Sequence, residues 1–171
     1  MNSKERREYI LGKLLNNNEP QKGHILAAEI GVTRQVIVKD IAILRAEGKN
    51  IIATPEGYII PVKQINKVKR TVAVCHRRDQ IKEELETIVK YGATIEDVIV
   101  EHPLYGEIKG MLMVRTLKDA QNFVDKLTKE NAQPLSGLTG GVHIHTIVAE
   151  DQETIDCILE ELKEKGFLAC D

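Results

Sequence analysis

In the first sixty residues, apolar positions recur at helical spacing. Ser3 is placed to cap a helix that turns Tyr9, Ile10, Leu14 and Leu15 inward, and Asn16-Asn17-Asn18-Glu19-Pro20 breaks it. A short second helix is predicted over 23–30, stopped by Gly31. Thr33 offers its hydroxyl as the cap of a third helix, Arg34 to Glu47, with Ile37, Ile41 and Leu44 on its inward stripe. Two short apolar runs follow, Ile51-Ile52-Ala53-Thr54 and Tyr58-Ile59-Ile60, on either side of Pro55-Glu56-Gly57. They read as a hairpin.

From residue 71 the pattern changes to alternation of strands and helices. Strands are predicted at 71–75, 97–101, 108–114 and 142–148. Helices are predicted at 79–89 (Ile81, Leu85, Ile88 inward), at 117–128 (Ala120, Phe123, Val124, Leu127 inward) and after a cap at Asp151 (Ile155, Ile158, Leu159, Leu162 inward). The stretch 134–141 reads as loop or short strand. The fold class that follows is two-domain. A winged helix-turn-helix spans 1–61, a basic linker 62–70, and an α+β sandwich 71–171 with one sheet and helices on one face.

Charge sharpens that division. Residues 1–70 carry 13 Lys+Arg against 7 Asp+Glu, whereas 71–171 carry 11 against 19. A basic first part suits a polyanion, and an acidic second part repels one. The three cysteines, Cys75, Cys157 and Cys170, form no CxxC and read as reduced thiols. No apolar run is long enough for a bilayer, and the charged start does not read as a secretory signal, so the expected compartment is the cytoplasm.

Two constellations carry chemistry. In the first, Ala27, Gly31 and Ile37 give a small residue for close helix crossing, a glycine for the tight turn and a branched lock for the next helix. Thr33, Arg34, Gln35, Val38 and Lys39 then face outward at the start of the recognition helix. Arg pairs with guanine and Gln with adenine in the major groove, and Lys49 at the foot of the wing reaches phosphate. Winged helices also serve as protein-contact modules, but the charged face favours double-stranded DNA.

In the second, His143 and His145 stand two apart on a strand, so both leave the same face, about 7 Å apart at Cα. Glu84 falls within or beside the buried stripe of its helix, where a carboxylate needs a partner or an ion. His76 ends the first strand of this part. His76, Glu84, His143 and His145 form an N/O ligand set for a divalent transition metal. The alternatives are ordinary ones: His76 paired with Asp79, Glu84 bridged to Arg77 or Arg78, and half-exposed strand histidines. His102 divides between a hydrogen-bonded loop residue and a pocket residue, and Tyr105 between pocket wall and surface.

The run Val32 to Arg45 with Asn50 to Tyr58 resembles the winged helix of the niacin-responsive repressors, the NiaR family. His76-Arg77, Glu101 to Glu107 and Leu138 to Thr146 resemble that family's C-terminal three-histidine (3H) domain, so the likeness covers nearly the whole chain. It implies an HPr-like second domain, one nickel or zinc ion on His76, Glu84, His143 and His145, nicotinic acid as co-repressor, and a homodimer on a palindromic operator. His102 and Tyr105 are then the candidate pyridine contacts. Two other readings stay open: a metalloregulator sensing the ion itself, and a metal-dependent hydrolase, for which no spare general base stands beside the HxH pair.

Overall fold

The computed structural model describes residues 1–62 and 66–169, so Lys63 of the expected linker and Cys170 lie outside the described residues. The chain divides into two compact units, Met1–Lys63 and Gln64–Asp171.

In the first unit, α1 (Ser3–Leu15), α2 (Gly23–Ile30) and α3 (Arg34–Ala46) precede a two-stranded wing, β1 (Ile52–Thr54) and β2 (Gly57–Ile59). The cap of α1 is Asn2, not Ser3. Its side chain accepts the backbone N–H of Lys4 and Glu5, and Glu5 returns the bond to Asn2. A residue further back closes a full capping box. Ile10 and Leu14 are buried as expected, but Tyr9 and Leu15 point outward, 36% and 63% exposed. Half-buried Leu11 shares the inward stripe instead. Thr33 stands at the N-cap of α3 without a capping hydrogen bond. Gly31 caps α2 at φ 76°, the left-handed turn a helix-turn-helix requires.

Ile51 and Ile60 fall outside the wing strands, and buried Ile51 joins the helical core. A link invisible to periodicity ties the wing to the bundle. Gln21 exchanges two backbone hydrogen bonds with Tyr58, at 2.8 and 2.9 Å. Gly57 lies against Gln21, where a Cβ would come within 2.4 Å of the Gln21 carbonyl oxygen.

The second unit runs β3 (Val68–Cys75), a 3₁₀ turn (Arg78–Gln80), α4 (Ile81–Val89), β4 (Thr94–His102), β5 (Gly106–Val114), α5 (Leu117–Lys129), a second 3₁₀ turn (Leu135–Thr139), β6 (Val142–Ala149) and α6 (Gln152–Glu164). Three expectations shift. The expected linker is shorter at its end, because Val68, Lys69 and Arg70 already pair with Ala149, Val148 and Ile147. The helix expected from Asp79 begins as the 3₁₀ turn, and 134–141 holds a 3₁₀ turn rather than a strand.

The sheet is antiparallel throughout, in the order β3-β6-β4-β5. One face carries Val72, Val74, Ile95 and Ile147, which pack with Leu85, Ile88, Ile155 and Leu162 of α4 and α6. Ala120 and half-buried Phe123 and Leu127 bring α5 to the same core. Each fully buried side chain of this size contributes roughly 1.5–3 kcal/mol. Between Ile95 and Asp97 the register slips by one residue. Glu96 is therefore an extra residue, and the strand changes phase, placing Val98 beside His145. Among the described residues no helix is long and apolar enough to cross a membrane.

Candidate metal centre and nucleic-acid interface

Central strands and one helix build the centre. His143 pairs in register with Val74 and His145 with Val72, so both imidazoles rise from the helix-covered face. His76 follows β3 directly. The loop entering β6 touches it: Gly141, at φ 104°, lies where a Cβ would stand 2.5 Å from the His76 carbonyl oxygen. Glycine at 141 thus permits the approach that gathers the rings. Glu84 comes down from the first turn of α4, between Ile81 and Ile88, and is buried, while Glu83 faces outward.

The four side chains are 1–3% exposed. His76 Nε2 lies 2.7 Å from Glu84 Oε2. His145 Nε2 and His143 Nε2 lie 3.2 and 3.6 Å from Glu84 Oε1. The ring pairs His76–His143 and His143–His145 meet edge-on, with centroids 4.9 and 4.8 Å apart. One donor atom from each of His76, Glu84 and His143 falls within 4.8 Å of the others.

The outer nitrogens decide the chemistry. Each Nδ1 meets a backbone carbonyl: Arg77 at 2.9 Å for His76, Gly141 at 2.8 Å for His143 and Asp97 at 2.6 Å for His145. A carbonyl only accepts, so each Nδ1 carries the hydrogen and each Nε2 of the neutral ring presents a lone pair inward. Three inward lone pairs around a carboxylate repel it unless something positive lies between them. Glu84 Oε1 registers the shortfall, since it is buried with no hydrogen-bond partner among the described residues. Such an orphan costs about 1–3 kcal/mol, more for a charged group.

In the bare protein, protons answer the same need. Burial pushes the His76 and His145 pKa values down, but the Glu84 carboxylate outweighs it and both end raised. For Glu84, burial pushes upward, but the charge of His145 and the hydrogen bonds of the three imidazoles hold its pKa well below the usual range. Donor set, tautomers and orphaned oxygen all fit a divalent cation bound by three imidazoles and a carboxylate.

The ordinary alternatives do not hold. Asp79 pairs with Arg77, not with His76. Glu84 bridges to the histidines rather than to Arg77 or Arg78. Asp97 was legible only as a strand residue, yet its carbonyl orients His145 while its carboxylate accepts the Thr146 N–H at 3.0 Å and meets Lys109 Nζ at 3.2 Å. The signal was the broken alternation Ile95-Glu96-Asp97-Val98.

His102 and Tyr105 are not brought to this cluster. His102 Nδ1 accepts the N–H of Leu104 and Tyr105 within the β4–β5 turn, where Tyr105 is 72% exposed. The ring organises a turn, the loop alternative for His102.

In the first unit, Thr33, Arg34, Gln35, Val38, Lys39 and Lys49 are all exposed, while Ile37, Ile41 and Leu44 are buried. A buried carboxylate escaped the sequence reading. Asp40 of α3, 1% exposed, accepts Arg6 Nε at 2.6 Å and Nη2 at 3.2 Å. This fork anchors the recognition helix to α1.

A helix-turn-helix with a charged outer face, joined to a domain built around a buried three-histidine cluster, defines a two-domain DNA-binding regulator. Residues 6–59 match the HTH domain family and residues 69–171 the 3H domain family. The chain is 49% identical over 164 residues to a protein of Thermotoga maritima described as a probable transcription repressor, NiaR, covering 96% of this chain and 93% of that one. It is 40% identical over 169 residues to the transcription repressor NadR of Bacillus subtilis, covering 97% and 94%. The chain belongs to the NiaR family of 3H-domain transcription repressors, and it is a DNA-binding regulator rather than an enzyme.

Proposed function

We propose that this repressor acts in the cytoplasm on genes of NAD biosynthesis or niacin uptake, with nicotinic acid as co-repressor and one nickel or zinc ion held by His76, Glu84, His143 and His145. The observation that carries the metal part is the inward aim of three Nε2 lone pairs at a buried carboxylate with an orphaned oxygen. When bound, the ion supplies positive charge and an open position for an anion. The chain's own part is to hold the rings in one tautomer, exclude water and keep Glu84 ionised.

Two chains bind a palindromic operator as a homodimer, with half-sites about 34 Å or a multiple of it apart. Arg34 and Gln35 read base edges, Val38 makes apolar contact, and Thr33, Lys39 and Lys49 hold backbone phosphates. Nicotinic acid favours the DNA-competent state. A coupling of about 1–3 kcal/mol raises operator affinity roughly 5–150-fold.

The test is fluorescence anisotropy of a labelled promoter fragment from an NAD-synthesis or niacin-transport operon, with metal-loaded protein at one fixed salt concentration. Tighter binding with nicotinic acid is expected, and equal binding with and without it overturns the co-repressor role. A second reading, the metalloregulator, draws on the near-complete burial of the cluster, which suits a bare ion better than an organic ligand. Metal titration against DNA without any pyridine separates the two.

A further inference from the structure

Two cavities flank the histidine cluster, and they differ in charge. One, of about 490 Å³, runs past His143 and is bordered by Glu101 and Glu107, a like-charged pair directly opposite each other on β4 and β5. The other, of about 450 Å³, opens beside His76 between the Arg77–Gln80 turn and the Gln133–Gly141 segment. Its ionisable lining besides His76 and Cys75 is Arg77 and Arg78, with no carboxylate. Both volumes lie in the range of small-molecule sites.

We propose that the cavity beside His76 is the effector site, that it takes a small aromatic monocarboxylate, and that Arg78 binds the carboxylate and sets preference for an acid over its amide. This rests on the nicotinic acid reading above and adds the place and the selecting residue. Arg77 is already neutralised by Asp79, at 3.1 and 3.2 Å. Arg78 instead meets the neutral amide oxygen of Gln133 at 3.3 Å, within the same cavity. An incoming carboxylate replaces a neutral acceptor by a charged one, and a guanidinium binds it in two parallel bonds. An amide offers one acceptor and no charge, so it gains less.

The acidic cavity past His143 repels the same ligand. The arginines also border a cavity towards Val124 and Leu127, but no residue of the histidine cluster lines that one. The opposite wall supplies room. Gly137 has no left-handed φ, and a Cβ there meets only the Gln133 side-chain oxygen, at 3.9 Å. A larger side chain at 137 therefore fills space without backbone strain.

The experiment is calorimetric titration of full-length, metal-loaded protein with nicotinate, nicotinamide and benzoate, on wild type, Arg78→Gln, Gly137→Leu and the control Glu101→Gln/Glu107→Gln. Metal content and melting curves are measured on each variant. Wild type is expected to prefer nicotinate to nicotinamide. Arg78→Gln should weaken nicotinate about tenfold or more and leave nicotinamide nearly unchanged. Gly137→Leu should weaken all three ligands, and the control should weaken none, with metal content intact throughout.

Unchanged nicotinate binding in both Arg78→Gln and Gly137→Leu overturns the proposal, as does a loss confined to the control. Benzoate binding that depends on Arg78, in a protein that ignores nicotinate, supports the site while overturning the nicotinic acid reading. Failure of wild type to bind any of the three overturns both.

Discussion

Each unit of the molecule buries a carboxylate on a helix, and the two are treated differently. Asp40 is met by the Arg6 fork, with Arg7 Nη1 at 3.8 Å, so the first unit neutralises its own buried charge. Glu84 is met by three imidazoles whose hydrogens point away, and one of its oxygens is left without a donor. The first arrangement is complete as a piece of scaffold. The second is complete only with a cation, from protons or from a metal. A buried acid is a structural device when the chain carries its counter-charge, and a binding device when the chain withholds it.

The widest test of the contrast is metal itself. Zinc or nickel at about a thousand times its Kd should stabilise the second unit by about 4 kcal/mol, and Glu84→Gln should abolish the gain. Calorimetric melting with and without chelator measures it. An equal metal-induced rise in the Glu84→Gln protein would sink the metal centre.

Breaking the self-sufficient pair comes next. Asp40→Ala strands Arg6, and partial exposure of that guanidinium moderates the loss to about 2 kcal/mol. Denaturant unfolding reads it, and metal should not rescue it. A metal-dependent recovery would erase the distinction between the units.

Asp97→Ala sharpens the comparison from the side of the histidine supports. It removes the acceptor for the Thr146 N–H and the partner of Lys109, at a cost of about 1–2 kcal/mol. Because the same residue orients His145 through its carbonyl, metal affinity should fall about tenfold. Competition with a chromogenic chelator checks this, and affinity equal to wild type would reduce Asp97 to a packing role.

The smallest effect concerns an acid with ordinary partners. The hydrogen bond from Lys90, then that from Tyr91, pull the Glu161 pKa from 4.5 down to about 2. A pKa depressed in the folded state means this stabilisation is full above pH 4.5 and fades as pH falls from 4.5 towards 2. Glu161→Gln should flatten acid unfolding in that window and leave neutral-pH metal binding alone. An unchanged acid limb would show that the contact carries no linkage.

Much of the molecule was legible before folding was considered. The change from helical spacing to strand alternation near residue 71 separated the units, and period-two alternation put His143 and His145 on one face. Helix phase selected Glu84 over Glu83. The exposed face of α3 followed from the same arithmetic. These are local properties, set by how many degrees each residue turns.

Tertiary structure decided what each charged or polar group meets. Gln21 pairing with Tyr58, Arg6 reaching Asp40 and Gly141 pressing on His76 join residues between 34 and 65 positions apart. Such contacts depend on how elements dock, which no local period encodes. The strand order β3-β6-β4-β5 is of the same kind, and so is the retreat of His102 into its own turn. The four candidate ligands were therefore written in the sequence as types and phases. Their lone pairs were aimed inward only by the carbonyls of Arg77, Gly141 and Asp97, because a ring nitrogen takes its role from the group facing the other nitrogen.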